Sequence, residues 1–464
     1  MRLTRRKFLA GAAAGAAGAA GVYELVDQLT SAPARPRSTA RRPPEQHILS
    51  SQRVIEDNGV EVIVPVLHNE VVTATVRLDP GSARDGRHEL EAALKRLEAE
   101  FDATPSGLGI TVAWGRPYFG RFVPAQARRH IPADLRAART KGEPTSALLD
   151  AIRFPSDPAD TILEQNEVAV LLRSDKRANI AAAHGALFVE LGIFEKTSIR
   201  RGFAGGGFDG GQSLPKKMAI AANVPGAELI PDDAELFLGF TSTQKANLGP
   251  PRIANLETLG YTAPGYFSGG THMHLSHIFE DLEAWYLNFD FGERVATTFR
   301  PGLEVAESTR TVRQDPKDVE TQAHVTRDFR QHSAIGHSGS IQTTSRLERD
   351  VVGADGTLYH KGTAVPQRAD FNTLDNPFAW SARPLVDRQL AMPAAGIHFV
   401  VFNPTSDDFH RNRLAMDGVL PDGTRLPFAP RDRGQGLNSV LRTTHRQNFL
   451  VPPRRHRSFP LAEL

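Results

Sequence analysis

The chain has 464 residues, of which 40% are apolar, so it can build a large core and two or three domains. Lysine and arginine number 55 against 53 aspartate and glutamate residues, and this near balance argues against a nucleic-acid binder. Cysteine is absent, which excludes disulfides, thiolate nucleophiles and cysteine-held metals or clusters. Any metal centre would therefore need histidine, carboxylate or tyrosine ligands.

The first 34 residues have the pattern of an export signal. Arg5 and Arg6 precede an apolar run, rich in glycine and alanine, over residues 10–22. Twin arginines before such a run are typical of the Tat pathway, and the run is shorter than the roughly 20 apolar residues of a membrane span. We therefore predict a Tat signal over residues 1–34, a disordered linker over 35–48, and a periplasmic, cell-envelope or extracellular protein without a stable membrane span after signal removal. Because this pathway carries folded proteins, we expect a bound cofactor.

Residues 49–225 show the element order of a ferredoxin-like unit. β-Branched segments predict strands, and apolar residues at helical spacing, such as Leu90, Leu94 and Leu97, predict helices. The predicted elements are strand 70–78, helix 88–101, strand 108–114, strand 168–172, helix 179–191 and strand 197–201. This β-α-β, β-α-β order is that of the ferredoxin-like motif.

A second set of similar elements covers residues 226–464. The predicted elements are strand 271–279, helix 281–287, strand 397–402, helix 406–416 and strand 448–451. We therefore predict an α+β protein of two ferredoxin-like halves, of the dimeric α/β-barrel type, with antiparallel sheets and peripheral helices. Each half would cover one face of its sheet with helices and the other face with its partner half.

Histidines are concentrated in one predicted strand of the second half. His272 and His274 would project from one face of this strand and His277 from the other. Two histidines on one face, joined by Glu280 or Asp281, could form a mononuclear metal site. The pattern leaves two interpretations open, a metal-binding protein that uses this pair and a polar strand in the wall of a cofactor cavity.

Several short motifs occur in an order that is similar to one known family. They lie at residues 108–115, 200–203, 269–271, 281–285, 396–399, 408–409 and 449–453. Together with the export signal they resemble the dye-decolorising peroxidase family, most closely its Tat-exported deferrochelatase-like members. The resemblance implies haem b in the C-terminal half and a reaction that reduces hydrogen peroxide while a second substrate is oxidised. It leaves open the identity of that reducing substrate, the assembly into a homo-oligomer, and whether haem is cofactor or cargo.

The resemblance also implies which residues would hold and serve the haem. The proximal-ligand motif matches residues 335–341, so His337 would bind the iron, with His332 as its nearest rival. The distal arginine matches Arg368, which would stabilise developing charge. Asp370 lies two residues further on and would share a strand face with the arginine. It could act as a base or form an ion pair with Arg368.

The distal acid is where this sequence departs from the family pattern. The Gly-Phe-x-Asp-Gly motif matches residues 239–243, in which Ser242 replaces the acid and Thr243 the last glycine. A second match, at residues 208–210, falls too early in the order. Losing a positioned base typically costs about 10²–10⁴-fold in rate, so the sequence favours haem binding over efficient peroxidase turnover. A non-haem metal-binding protein and a non-catalytic exported member of the fold are the alternatives.

Overall fold

Most of the chain is described in a computed structural model. The described residues are 22–29, 42–57, 60–204, 212–240, 265–305, 320–352, 356, 358–377 and 392–464. Most of the predicted signal and linker therefore lies outside the described residues. Within these ranges, none of the helices is both long enough and apolar enough to cross a membrane.

The seven predicted strands are all present among the fourteen strands of the described residues. They are β1 (Val54–Asp57), β2 (Val60–Ile63), β3 (His68–Val76), β4 (Gly109–Gly115), β5 (Ile162–Leu163), β6 (Val168–Ser174), β7 (Phe194–Phe203), β8 (Thr271–Glu280), β9 (Val351–Val352), β10 (Leu358–Tyr359), β11 (Gln367–Arg368), β12 (Phe371–Thr373), β13 (Gly396–Asn403) and β14 (Leu441–Val451). The sequence analysis missed the short strands β11 and β12, which carry or flank two candidate site residues.

The helices lie around the sheet. They are α1 (Leu25–Leu29), α2 (Ala83–Glu100), α3 (Arg116–Phe122), α4 (Pro124–His130), α5 (Leu135–Lys141), α6 (Arg177–Gly185), α7 (Leu214–Ala221), α8 (Leu282–Asn288), α9 (Phe291–Thr298), α10 (Gln322–His332), α11 (His337–Ser345) and α12 (Ser406–Ala415). A π-helical turn over Ala186–Glu190 extends α6, so the predicted helix 179–191 is confirmed.

The strand order confirms two ferredoxin-like halves. In the first half the order is β7-β3-β6-β4, and in the second it is β14-β8-β13-β12, each antiparallel throughout. Both follow the 4-1-3-2 order of the ferredoxin-like motif. Phe449 pairs with Gly115 and Asn372 with Phe203, which joins the halves at both edges. The two sheets thus form one closed ring, which removes the exposed edges that open sheets carry.

Alternation along the strands separates two cores. Val71 of β3 packs with Met273 and Phe449 in a cluster inside the ring, which draws on strands of both halves. Its neighbour Val72 points outward and packs with Leu90 and other residues of α2. Burying each such side chain contributes about 1.5–3 kcal/mol, so both faces of the sheet stabilise the fold.

Helix α1 belongs to the predicted signal region yet packs on the folded protein. Tyr23 is 4% exposed, and its phenol donates to Asp375 Oδ1 at 3.0 Å and accepts from the Leu374 amide at 2.9 Å. Val26 is fully buried in a cluster with Met218 of α7. These contacts tie the segment before the linker to the end of β12.

Replacing Tyr23 by phenylalanine is expected to lower the free energy of unfolding by about 1–3 kcal/mol. The change leaves the buried Leu374 amide without its partner and removes one of the hydrogen bonds to Asp375, which costs about this much. Urea unfolding of the full chain measures the difference, with Glu24→Gln, an exposed change on the same segment, as the control. Equal stability of Tyr23→Phe and the unmodified chain would show that α1 is not docked in solution.

Candidate functional site

A large cavity lies in the C-terminal half, on the face of the sheet that points away from the ring interior. Strands β8, β13 and β14 form one wall, and helices α9, α11 and α12 contribute to the other. The space inside this pocket is about 1480 Å³, part of which opens to solvent. Its lining is mainly apolar with a few polar groups, which is typical of cofactor sites. The charged and titratable lining residues are Glu280, His337, Arg368, Asp370, Arg413 and Arg446.

Strand alternation explains how the sheet presents polar groups to this cavity. On β8, Ser276 and Glu280 line the cavity whereas Leu275 packs inside the ring. On β14 the register shifts between Thr443 and His445, at an irregularity of the bulge type. Such a shift inverts the alternation, so Thr443 and Arg446 both face the cavity.

His337 is held in the cavity wall by the start of a helix. It is the first residue of α11, and Gly336 before it approaches the backbone of Phe299 so closely that a Cβ there would lie 2.1 Å from the Phe299 carbonyl oxygen. Burial, reinforced by the charges of Arg368 and Arg413, lowers the pKa of His337 to about 4. The ring is therefore neutral at neutral pH, the state that binds a metal.

The Nδ1 atom of His337 is buried and has no hydrogen-bond partner in the described part of the chain. A buried ring nitrogen without a partner is uncommon, because its desolvation costs free energy that no hydrogen bond offsets. Such an atom at the wall of a large cavity is consistent with a group that binds there. The ring thus fits the role of a ligand to a metal cofactor.

Arg368 and Asp370 reach the same cavity as His337. Arg368 ends β11 and pairs in register with Val401 of β13, and Asp370 follows just before β12. Both side chains line the cavity. The structure therefore brings together these three residues that the sequence analysis singled out. His332 ends α10, is exposed and is not among the lining residues.

Glu280 is a cavity residue whose position the sequence analysis misjudged, because it considered this residue only as a partner of the strand histidines. It ends β8, is 4% exposed and lines the cavity. Burial, reinforced by the charge of Asp370, raises the pKa of Glu280 to about 8. Two carboxyl groups therefore interact in a cavity that also holds His337.

Two further arginines line the cavity, and acids behind the wall hold them. Arg446 donates to Asp157 Oδ1 at 2.8 Å, and Arg413 approaches the same atom at 3.3 Å. Arg413 also donates to Asp417 at 2.7 Å. Because these ion pairs fix both guanidinium groups, the cavity has rigid cationic positions that suit an anionic group on a ligand.

Of the two interpretations left open for His272 and His274, the described residues do not favour the metal site. The two do share a face of β8, but both ring nitrogens of His274 are engaged, Nδ1 with Asn448 at 2.6 Å and Nε2 with Ser276 at 2.6 Å. Glu280 lies six residues beyond His274, about 20 Å along an extended strand. Asp281 caps α8 through the Ala284 amide. Among the described residues, no group of three or more such side chains is placed to hold a metal ion.

Ser242 and the second motif match at residues 208–210 lie outside the described residues. The assignment of Ser242 to the position of the missing acid therefore stays a prediction. Phe240, just before this segment, lines the cavity.

Comparison with solved structures identifies the fold. A putative Dyp-type peroxidase from Shewanella oneidensis is similar with a TM-score of 0.50 and 13% identity, covering 86% of this chain and 95% of that one. The DyP-type peroxidase from Cellulomonas bogoriensis is similar with a TM-score of 0.52 and 18% identity, covering 89% of this chain and 96% of that one. At this level of identity the likeness shows a shared fold, in agreement with the predicted architecture.

Comparison of the sequence with protein families gives one assignment. None of the curated proteins matches the chain. A family described as a family of unknown function, DUF7405, matches residues 67–453, which include both ferredoxin-like halves and every cavity residue named above. The chain therefore belongs to the DUF7405 family, here with the fold of the DyP-type peroxidases.

Proposed function

We propose that this protein binds haem b in the cavity of the C-terminal half, with His337 as the iron ligand. The observation that carries the proposal is that one largely apolar cavity brings His337 and Arg368 together. The shared fold with structures described as DyP-type peroxidases supports it. The neutral ring of His337 and its unpartnered Nδ1 among the described residues fit a ligand role.

We propose further that the loaded protein reduces hydrogen peroxide at the expense of a reducing substrate. Bound haem would supply the electrons that cleave the peroxide bond, and the reducing substrate would restore them. Arg368 would stabilise the negative charge that develops on the departing oxygen. The apolar wall, with Phe299, Phe399 and Phe409, would exclude water and so strengthen that electrostatic effect.

Export in the folded state completes the proposal. Arg5 and Arg6 head the predicted Tat signal, and this route accepts a protein that has already taken up its cofactor. A haem protein without cysteine needs no disulfide formation after export. We therefore place the loaded protein in the periplasm, the cell envelope or the extracellular space.

The test of the proposed function is an absorption spectrum of the protein purified after haem is supplied during expression. We expect a Soret band at one haem per chain, and a change in this band when hydrogen peroxide is added. A protein that remains colourless, also after reconstitution with haem in vitro, would contradict haem binding. A Soret band that peroxide leaves unchanged would reduce the proposal to haem binding or haem carriage.

Replacing Arg368 by leucine is expected to slow the reaction with peroxide by about 10²–10³-fold while haem uptake is retained. The reason is that a preorganised cation at the reacting oxygen contributes about this much. Stopped-flow mixing of the loaded protein with peroxide measures the rate, and Arg368→Lys, which keeps the charge but loses the planar fork, should fall between the two. A leucine variant as fast as the unmodified protein would contradict this role.

A further inference from the structure

Glu280 is a deeply buried carboxyl group in the cavity wall. It lies at the end of β8 on the strand face that supplies Ser276 and Ile278 to the cavity. It is 4% exposed, and its Oε2 atom is buried without a hydrogen-bond partner in the described part of the chain. A buried carboxyl without partners carries a desolvation cost, and such groups are concentrated at functional sites.

Asp370 completes a pair of carboxyl groups. It reaches the cavity from the turn between β11 and β12, whereas Glu280 reaches it from β8. Burial of Glu280, and then the negative charge of Asp370, raise the pKa of Glu280 to about 8. At neutral pH Glu280 is therefore mostly protonated and can donate a proton. Pairs of carboxyl groups are a recurring solution for proton transfer.

The other ionisable groups around the pair are cationic or neutral. Tyr286 of α8 lies close enough to sense the charge of Glu280, and its phenol donates to the Phe237 carbonyl at 2.6 Å. The remaining titratable groups that line the cavity are His337 from α11, Arg368 from β11, Arg413 from α12 and Arg446 from β14. Among the lining residues that the structure describes, Glu280 and Asp370 are the two carboxyl groups.

We propose that Glu280 and Asp370 form the acid–base pair of this cavity and transfer the proton between the two oxygens of hydrogen peroxide. The inference rests on the proposed function. It assigns to Glu280 and Asp370 the proton transfer that the family resemblance places at the position of Ser242. A serine hydroxyl there cannot serve as the anionic base, so the reaction needs a carboxyl group from elsewhere.

The proton balance of the pair closes over the cleavage of the peroxide bond. Asp370 would take the proton from one peroxide oxygen, and Glu280 would give its proton to the other oxygen, which leaves as water. The proton on Asp370 would then return to Glu280, so the pair would end as it began. Bound haem would supply the two electrons of the cleavage, and the reducing substrate would restore them together with the two protons that convert the remaining oxygen to a second water.

The first measurement uses the haem-free protein. In the unmodified chain we expect an infrared carbonyl band of a protonated carboxylic acid at pH 7, which Glu280→Gln removes. Asp370→Asn should shift the titration of that band to lower pH, because it removes the neighbouring charge. Glu89→Gln, an exposed change on α2, should leave the band unchanged. The absence of a band that depends on Glu280 would overturn the pair.

The second measurement uses the haem-loaded protein. Glu280→Gln keeps the size of the side chain but cannot donate a proton as an acid, so we expect the reaction with peroxide to slow by about 10²–10⁴-fold at an unchanged Soret band. Glu280→Asp should recover part of the rate and Asp370→Asn should lose it. If Glu280→Gln binds haem and reacts within about threefold of the unmodified protein, this inference fails and the proposed function stands. If the unmodified chain takes up no haem, both fail.

Discussion

The variant His337→Ala is expected to take up no haem in a defined stoichiometry. Among the cavity-lining residues that the structure describes, His337 is the one imidazole, and the chain has no cysteine that could replace it. Without this ligand a bound haem would keep only apolar contacts and charge pairing, which do not hold the iron. Titration of the haem-free protein with haem, followed at the Soret band, measures the uptake. We expect one equivalent for the unmodified chain and no saturable step for the variant.

Two controls separate a lost ligand from a damaged fold. His332→Ala removes an exposed imidazole five residues earlier and should leave uptake unchanged. Free imidazole should restore the Soret band of His337→Ala, because the truncated side chain leaves room for it at the wall. Unchanged stoichiometry in His337→Ala would assign the iron to another residue. The same thermal stability with and without the substitution would confirm that the fold is intact.

The architecture could be predicted from the sequence because its long elements have clear periodicity. Strands β3 and β4 are rich in β-branched residues, and α2 has its apolar residues at helical spacing. Their order alone indicates ferredoxin-like halves. Strands β11 and β12 were missed because two or three residues are too few to show an alternation. Their pairing with β13 depends on long-range contacts that no local pattern contains.

The residues of the candidate site could be predicted less well from sequence periodicity. Helix α11 is the element that presents His337, and it buries polar residues such as Ser340, Gln342 and Thr343, so it has no apolar stripe. The ligand was proposed through family resemblance rather than through spacing. Glu280, in contrast, lies an even number of residues from His274 on β8, so strand alternation places both side chains on one face. An extended strand separates them by about 20 Å, which does not favour joining them in one metal site.

Three buried histidines, His272, His274 and His410, make the stability of the fold depend on pH. His274 pairs with Asn448, and His410 of α12 contacts the amide nitrogen of the same asparagine at 3.2 Å. Burial lowers the pKa of His272 to about 3 and that of His410 to about 4, and it lowers the pKa of His274 well below its usual range. The surrounding charges act in both directions: Arg446 lowers the pKa of His274 and His410, Lys141 lowers that of His410, and Asp407 raises that of His410.

Lowering the pH from 7 to 5 is expected to remove about 2 kcal/mol of unfolding free energy through each of His272 and His410, and His274 acts in the same direction. In the unfolded chain their pKa is about 6.5, so at pH 5 the unfolded state binds protons that the folded state does not bind, and this favours unfolding. Their contribution is therefore complete above pH 6.5 and is lost progressively below it. Urea unfolding of the haem-free protein across this range measures the slope. His410→Gln should reduce the slope at pH 5 by about one proton, whereas His88→Gln, an exposed change on α2, should not. Equal slopes in all three proteins would mean that His410 takes up a proton as readily in the folded state as in the unfolded state.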